Sequence, residues 1–194
     1  LYVTDKPETI PFENLQIPYI IKPNHASGLR VIVENHQYDK KEIIQSCRRW
    51  LSTPYGLEKL EWAYQSIKRR IVIEKLLRED DGSIPKDFRF HMFHGKCKLV
   101  NIFFDRMHES ASRSFYDVEW NILPIRKASN PQGIDIEKPK NYEKMLYLAE
   151  KIAHPFDYIR VDFYNINGKI YMGELTHYPT GGLGSFEPTS FDFE

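Results

Sequence analysis

The sequence has few cysteines, no long apolar segment and no excess of charge of either sign. Its two cysteines, Cys47 and Cys97, fit no metal-binding or redox spacing, so we expect reduced structural thiols. No apolar run approaches the roughly 20 residues that cross a bilayer, and no signal-peptide pattern opens the chain. Because 27 basic residues balance 27 acidic ones, we expect no nucleic-acid partner recognised through bulk charge.

The sequence does contain enough apolar residues for a packed core, since 41% of its 194 residues are hydrophobic and 14% are aromatic. Apolar periodicity predicts both strands and helices. Strands are predicted at residues 19–24, 30–34, 70–77, 87–94, 97–105, 116–120, 159–164 and 170–176, and helices at residues 40–52, 57–68 and 141–154. Residues 1–18 are rich in proline and turn-forming residues and are predicted to be a lead-in or linker, and residues 106–115 a loop.

The C-terminal hairpin carries the most informative pattern. Apolar and polar residues alternate over 159–164 and again over 170–176, and Asn167-Gly168 supplies the turn between the two runs. Strand pairing would therefore place Asp162 beside Glu174, on a face that also carries Arg160. Two adjacent carboxylates repel each other unless a cation lies between them, and Mg²⁺ prefers such oxygen ligands. The alternative is a solvated outer face of an ordinary antiparallel hairpin.

Two further segments could bind a nucleotide. Lys22 ends a strand directly before proline, and the small residues that follow, including Ser27 and Gly28, would let backbone amides approach a phosphate. The strand at 70–77 is apolar except for Glu74 and Lys75 near its end, and it could offer backbone groups to an adenine edge. The alternatives are a surface lysine beside a turn and a core strand with a charged edge.

The order of these segments resembles that of the ATP-grasp fold, and more narrowly the TupA-like branch named for teichuronopeptide biosynthesis. The motifs that carry the resemblance are Tyr-Ile-Ile-Lys-Pro-Asn-His-Ala-Ser-Gly (19–28), Arg-Ile-Val-Ile-Glu-Lys-Leu-Leu (70–77), Asp-Phe-Arg-Phe (87–90), Phe-Tyr-Asp-Val-Glu-Trp (115–120), and Arg-Val-Asp-Phe-Tyr (160–164) with Gly-Glu-Leu-Thr (173–176). The resemblance spans nearly the whole chain.

The resemblance implies an α+β fold of two subdomains whose antiparallel sheets grip ATP. Residues 19–77 would form the small subdomain, with the phosphate loop and the adenine-side strand. Residues 78–194 would form the large subdomain, with the Mg²⁺ site. The chain begins at Leu1, so we expect a preceding N-terminal domain, the pre-ATP-grasp domain, to be absent from this sequence. Nucleotide binding would then survive, and turnover would be impaired.

The resemblance also implies roles for individual residues around the nucleotide. The nucleotide-binding residues would be Lys22 on the phosphates, His25, Ser27 and Gly28 in a loop that closes over them, Glu74, Lys75 and Leu76 on the adenine side, and Asp87 on the ribose hydroxyls. Arg160 would join Lys22 as a catalytic residue, because it matches an arginine that stabilises the transferred phosphoryl group.

The metal ligands implied by the resemblance are Asp162, Glu174 and Thr176, and here the sequence departs from most ATP-grasp enzymes. Thr176 stands where an asparagine is usual, although a threonine still offers an oxygen ligand. A second phosphate-binding lysine has no clean match near Trp120. Arg106 and Arg126 are candidates to replace it.

The implied function is an ATP- and Mg²⁺-dependent ligase that joins a carboxylate to an amine through an acylphosphate. The expected cofactors are ATP and Mg²⁺, and the expected partners are a carboxylate-bearing acceptor, such as a uronic-acid saccharide, and an amine donor. The setting would be cell-surface polysaccharide synthesis in the cytoplasm, with the inner face of the membrane as one option. Two alternatives stay open: a glycosyltransferase that uses a sugar nucleotide, and a non-catalytic nucleotide-binding module.

Overall fold

A computed structural model describes residues 2–57, 61–104, 111–127 and 130–193 of the chain. The chain divides into two units, Leu1–Leu77 and Arg78–Glu194, and each is described by itself. The strands are β1 (Tyr2–Thr4), β2 (Tyr19–Pro23), β3 (Val31–Val33), β4 (Ile71–Lys75), β5 (Asp87–Phe93), β6 (Lys96–Phe104), β7 (Ser112–Tyr116), β8 (Arg126–Lys127), β9 (Tyr158–Ile166), β10 (Lys169–Thr176) and β11 (Phe186–Glu187), and the α-helices are α1 (Lys40–Ser52) and α2 (Tyr142–Ala153). Five short 3-10 helices lie at Pro7–Thr9, Phe12–Asn14, Trp62–Ser66, Pro179–Gly182 and Thr189–Phe193. Within the described residues, no helix has the length and apolar character that crossing a bilayer requires.

The first unit packs helix α1 against a four-stranded sheet of order β1-β4-β2-β3. The helix begins after Asp39, whose Oδ1 accepts hydrogen bonds from two backbone amides of the first turn, as an N-cap side chain does. Its buried residues Ile43, Cys47 and Trp50 recur at helical spacing and join the core of the unit. The thiol of Cys47 is reduced and buried, and burial raises its pKa to about 11.

The structure corrects the linker predicted for residues 1–18. Strand β1 pairs antiparallel with β4, with Val3 opposite Val72, and so forms one edge of the sheet. Ile10 and Phe12 are buried in the core. Proline and turn-forming residues do end regular structure here. The apolar residues between them still bury their side chains, so the segment packs as part of the first unit.

The α-helix predicted at 57–68 is also wrong. Gly56 has a φ of +82°, and its carbonyl accepts a 2.8 Å hydrogen bond from the amide of Glu61, which closes a turn instead of a helix. Only a short 3-10 helix, Trp62–Ser66, follows, and residues 58–60 lie outside the described part of the chain. Helical spacing alone is a weak signal, because most helical stability comes from packing an apolar face, and Trp62 is exposed here.

The second unit is built on a five-stranded antiparallel sheet of order β10-β9-β5-β6-β7. Helix α2 covers one face of this sheet. The buried residues of that layer are Tyr142, Met145, Ala149 and Ala153 of the helix with Phe88, Phe90, Met92, Val161 and Phe163 of the sheet. Strands β8 and β11 form a separate two-stranded sheet.

The strand predicted at 116–120 lies earlier in the chain. Strand β7 ends at Tyr116, and Asp117 closes a turn by accepting a 2.7 Å hydrogen bond from the amide of Asn121. Of the loop predicted at 106–115, residues 112–115 therefore belong to β7, and residues 106–110 lie outside the described part of the chain. The alternation of polar and apolar residues in 116–120 is typical of a strand, but the hydrogen bond between Asp117 and Asn121 stabilises a turn there instead.

Candidate active site

The face of the second sheet opposite helix α2 carries a row of charged residues. Antiparallel register places Arg89 of β5, Asp162 of β9 and Glu174 of β10 side by side. The neighbouring row joins Arg160 with Thr176. A bulge between Met172 and Glu174 sets this register, and the predicted pairing of Asp162 with Glu174 is confirmed.

Arg160 connects the residues of this face. Its Nε and Nη2 donate to the two carboxylate oxygens of Asp162 at 2.7 and 2.6 Å, a bidentate pair. The same Nη2 donates to the hydroxyl of Thr176 at 3.0 Å and lies 3.7 Å from the carboxylate of Glu174. The Thr176 hydroxyl in turn donates to Glu174 at 3.1 Å. The predicted catalytic arginine and the three predicted metal ligands therefore form one hydrogen-bonded group.

Burial of this group excludes a solvated outer face. Asp162 is 1% exposed and Arg160 is 9% exposed, whereas the side chain of Glu174 is 41% exposed and stands at the rim. Burial raises the pKa of Asp162 to about 6, although the charge of Arg160 opposes the shift. Asp162 therefore stays ionised at neutral pH, and its charge is balanced by the guanidinium.

A second buried ion pair adjoins the first. Arg89 donates through Nε and Nη2 to one oxygen of Asp87 at 3.0 and 2.7 Å, and its Nε lies 3.7 Å from Asp162. Asp87, which the resemblance assigns to the ribose hydroxyls, is 1% exposed. The structure places it in the charged group beside Asp162, and its contact with ribose remains a prediction.

The donors at Asp162 and Glu174 fit Mg²⁺ in chemistry, because both are carboxylates on adjacent strands and a hydroxyl stands next to them. In the described part of the chain, no three or more His, Cys, Asp or Glu side chains are grouped so that they could hold a metal. Protein ligands alone would thus leave a Mg²⁺ ion short of its six oxygens. Mg²⁺ commonly completes its shell with substrate phosphates and water, so this pair fits an ion that arrives with a nucleotide.

In the first unit, the structure brings Lys22 and Glu74 together. The Lys22 ammonium lies 2.6 Å from a Glu74 carboxylate oxygen, and both side chains are more than one third exposed. The two residues point away from the core of the sheet, because the buried positions of β2 and β4 alternate with them. Lys75 is exposed, but Leu76 is buried, and its amide donates to the carbonyl of Pro18 at 3.0 Å. That amide is therefore not free for an adenine ring nitrogen.

The loop after β2 departs from the prediction at one residue. The ring of His25 is 1% exposed, and its Nε2 lies 3.0 Å from the carbonyl oxygen of Trp50 at the end of α1. His25 therefore anchors the loop to the helix, and its phosphate contact stays a prediction. Ser27 and Gly28 are exposed, and Gly28 has a φ of +80° with open space around it, so their predicted backbone contacts stay predictions.

The candidates for a second phosphate-binding cation receive no support. Arg126 forms an ion pair with Glu187 of the strand paired with its own. Arg106 lies outside the described residues. The neighbour of Arg126, Lys127, is instead nine-tenths buried and lines a cavity of about 1220 Å³.

A family model described as TupA-like ATPgrasp matches residues 1–194, the whole chain. The chain belongs to the TupA-like ATP-grasp family. This match confirms the predicted family and fold class. No curated protein matches the sequence.

Several solved structures resemble this TupA-like chain at low identity. The D-alanine–D-alanine ligase of Bacillus anthracis complexed with ATP is 21% identical, with 89% of this chain and 45% of that chain covered and a TM-score of 0.46. The ATP-grasp ligase PsnB with a minimal precursor is 13% identical, with 91% and 44% covered and a TM-score of 0.48. The D-alanine–D-alanine ligase of Helicobacter pylori is 18% identical, with 87% and 44% covered and a TM-score of 0.43. The chain spans about half the length of these proteins, and the family assignment rests on the full-length match.

Sequence reasoning missed two basic residues near the site of this TupA-like protein. Arg89 could have been found, because Asp87-Phe88-Arg89 repeats in reverse the acid–apolar–base spacing of Arg160-Val161-Asp162, and both runs lie in strands. Lys127 had no such signal. Its position depends on the pairing of β8 with β11, two strands of two residues each, which no local pattern predicts.

Proposed function

We propose that this TupA-like ATP-grasp protein is an ATP- and Mg²⁺-dependent carboxylate–amine ligase. The observation that carries the proposal is the group in which Arg160 contacts Asp162 and approaches Glu174 on adjacent strands. Two carboxylates and a guanidinium at one place suit phosphoryl transfer, because they can hold a metal-bound phosphate and balance its developing charge.

The proposed reaction has two steps. A substrate carboxylate oxygen attacks the γ-phosphorus of ATP. The bond from this phosphorus to the oxygen that bridges it to the β-phosphate breaks, so ADP departs and an acylphosphate forms. An amine nitrogen then attacks the acyl carbon, inorganic phosphate leaves, and the nitrogen loses a proton to give an amide. No protein nucleophile takes part, so the chain contributes positioning and charge balance.

The residues of the chain would divide this work by charge. Lys22 would bind nucleotide phosphates, which requires its ammonium to exchange the carboxylate of Glu74 for a phosphate oxygen. Arg160 would stabilise the negative charge of the transferred phosphoryl group. Asp162 and Glu174 would hold Mg²⁺, which supplies Lewis-acid polarisation of the phosphate oxygens when it is bound.

We further propose that the acceptor is a uronic-acid carboxylate of a cell-surface polysaccharide precursor. The resemblance to the branch named for teichuronopeptide biosynthesis supports this acceptor by analogy. The cavity that Lys127 lines supports it by its size, its aromatic side chains and its two lysines. A cytoplasmic location remains a prediction that accompanies the use of ATP.

Calorimetric titration of the chain with a non-hydrolysable ATP analogue, with and without Mg²⁺, tests the nucleotide part. We expect binding that depends on Mg²⁺ and that UDP and UDP-glucuronate do not reproduce. Asp162→Asn and Glu174→Gln should remove the Mg²⁺ dependence. The matched control is Glu143→Gln, an exposed carboxylate on helix α2, which should bind like the unaltered chain.

The outcomes separate the competing functions. Binding of UDP compounds without the ATP analogue would favour the glycosyltransferase and overturn the proposal. Tight ATP binding with no phosphate release for any mixture of carboxylate and amine would instead leave a nucleotide-binding module. Full Mg²⁺ dependence in both Asp162→Asn and Glu174→Gln would show that the metal binds elsewhere.

A further inference from the structure

The second unit contains a large cavity on the same sheet face as the charged row. His91 of β5 and Tyr158 of β9 line it, and these are the two strands that carry Arg89 and Arg160. Along β9, Tyr158 and Arg160 are two residues apart, a step of about 7 Å. Because His91 is the register partner of Arg160, the cavity lies near the residue that would contact the transferred phosphoryl group.

Lys127 is a buried cation in this cavity. The residue is 9% exposed, and among the described residues its ammonium has no hydrogen bond or ion pair. The ring of Phe186 faces the ammonium, with its centroid 5.5 Å from Nζ. Gly184 lies against the same ammonium, since a Cβ there would be 2.6 Å from Nζ. Burying an ammonium that makes no hydrogen bond or close ion pair is costly, so such a position usually serves a ligand.

The charges around Lys127 are predominantly positive. Burial, together with the charges of Arg113, Arg160 and Arg89, lowers its pKa to about 8, and the charge of Asp192 opposes this shift. The carboxylates that could have balanced these arginines are already paired within their own strands, as with Arg160 and Asp162. The lining of the cavity contains Lys98, Lys127, Asp157 and Asp192. Because Lys127 makes no ion pair among the described residues, an anionic ligand could supply its partner.

We infer that Lys127 binds the anionic group of the carboxylate-bearing substrate in this cavity, an inference that rests on the proposed function. Lys127 is then a specificity residue, because it selects substrates with a negative charge at that position. Desolvated charge pairs of this kind discriminate strongly, since a neutral ligand leaves the ammonium unpaired.

The shape and lining of the cavity indicate the size of this substrate. Its volume of about 1220 Å³ exceeds the ~300–1,000 Å³ that is usual for small-ligand pockets. Aromatic side chains dominate its wall, namely Phe93, Phe156, Tyr158, Tyr178, Phe186 and Phe191. Flat aromatic faces cover ring-shaped ligands well, while the tips of tyrosine and histidine hydrogen-bond hydroxyl groups. A carboxylated sugar fits this lining better than a free amino acid.

The test compares binding of three probes to the full chain by NMR titration: D-glucuronate, D-glucose and L-glutamate. Lys127→Met should weaken D-glucuronate binding by about tenfold or more, whereas Lys127→Arg should stay within about threefold. The matched control is Lys144→Met, an exposed lysine of helix α2 that does not line the cavity, which should also stay within about threefold. D-glucose should bind about tenfold more weakly than D-glucuronate.

A pH series adds a readout that packing alone would not move. Because Lys127 loses its proton near pH 8, D-glucuronate affinity should fall as pH rises above 8 in the unaltered chain and not in Lys127→Arg. The groups that face Lys127 or line the cavity are Arg89, Arg113, Arg160, Asp192, His91, His177, Asp157 and Lys98. Of these, burial lowers the pKa of His91 well below its ordinary value, away from that window.

Each outcome has a defined meaning. Equal affinity in Lys127→Met and the unaltered chain would overturn the inference, and so would equal losses in Lys127→Met and Lys144→Met. Lys127-dependent binding of L-glutamate alone would keep the anion site and assign it to an amino-acid substrate. The ATP analogue is titrated in the same samples, so its failure to bind refutes the proposed ligase without touching the result for Lys127.

Discussion

Arg160 is the residue on which the charge balance of the site depends. Its guanidinium makes two hydrogen bonds with Asp162, one with Thr176 and a longer contact with Glu174. A lysine could not replace it, because one ammonium cannot form the planar bidentate pair. Removing either partner of a buried pair leaves an uncompensated charge, which costs more than the pair itself contributes.

A double-mutant cycle on Arg160→Met and Asp162→Asn should measure this coupling. We expect each single change to destabilise the chain by about 3 kcal/mol, and the double variant to lose much less than the sum. Urea unfolding of the four proteins gives the coupling energy. The matched surface pair is Lys138 and Glu143 on the other side of the unit, where the coupling should be below about 1 kcal/mol. Additive losses at Arg160 and Asp162 would contradict a buried charged pair.

In contrast to the Arg160–Asp162 pair, Lys127 should lower the stability of the fold at neutral pH. Its pKa is about 8 in the folded chain and 10.5 as the ordinary value, so between these pH values the unfolded chain binds more protons. The free energy of unfolding therefore rises with pH from about 8 to 10.5. Below pH 8 the unfavourable contribution of the buried, protonated Lys127 is at its largest. Lys127→Met should raise the free energy of unfolding at pH 7 by roughly 1 kcal/mol, with the gain fading above pH 10.

Urea unfolding at pH 7 and pH 10.5 checks this expectation, with the exposed Lys98→Met as control within about 0.5 kcal/mol. A loss of stability at pH 7 in Lys127→Met would mean that the lysine is held by favourable contacts. A gain in stability in this variant would show that Lys127 destabilises the fold, as residues at functional positions often do.

At the scale of single elements, the hairpin of β9 and β10 was the most predictable part of the molecule. Its alternation fixed which residues share a face, and the Asn167-Gly168 turn fixed where the strands reverse. The bulge before Glu174 was not predictable, because it depends on how the backbone of β10 crosses β9. The lead-in at 1–18 and the helix at 57–68 failed for a related reason, since tertiary packing decided both.

Gly173 sits in this bulge and gives an element-scale prediction. A Cβ there would lie 3.1 Å from the backbone carbonyl oxygen of Asp162, which cannot move without shifting strand β9. Gly173→Ala should therefore displace Glu174 from Asp162 and weaken Mg²⁺-dependent binding of the ATP analogue by about tenfold.

The control for this variant is Gly168→Ala in the turn of the same hairpin. Gly168 has a φ of +75° and open space around it, so alanine should cost about 1 kcal/mol of stability and leave nucleotide binding unchanged. Calorimetric titration and urea unfolding of both variants separate the two effects. Unchanged binding in Gly173→Ala would show that the bulge tolerates a side chain.

At the scale of the whole molecule, a bound nucleotide should stabilise the fold. A ligand at 100 times its Kd adds about 2.7 kcal/mol to the free energy of unfolding when it binds only the folded state. The ATP analogue with Mg²⁺ should therefore raise Tm, whereas Mg²⁺ alone should leave Tm unchanged, because the described residues offer no complete metal site. Differential scanning calorimetry checks both arms. An equal rise with Mg²⁺ alone would contradict the pairing of metal and nucleotide.

The pairing of β5 with β9 has a consequence for how the chain folds. Strands β5 and β6, and likewise β9 and β10, are joined by short turns, whereas β5 meets β9 only after a long intervening segment is closed. That late contact buries two arginines and two aspartates. Because Asp87 with Arg89 and Arg160 with Asp162 are each two residues apart on one strand, each hairpin can neutralise its own charge before docking. The folding transition state then does not have to desolvate isolated ions.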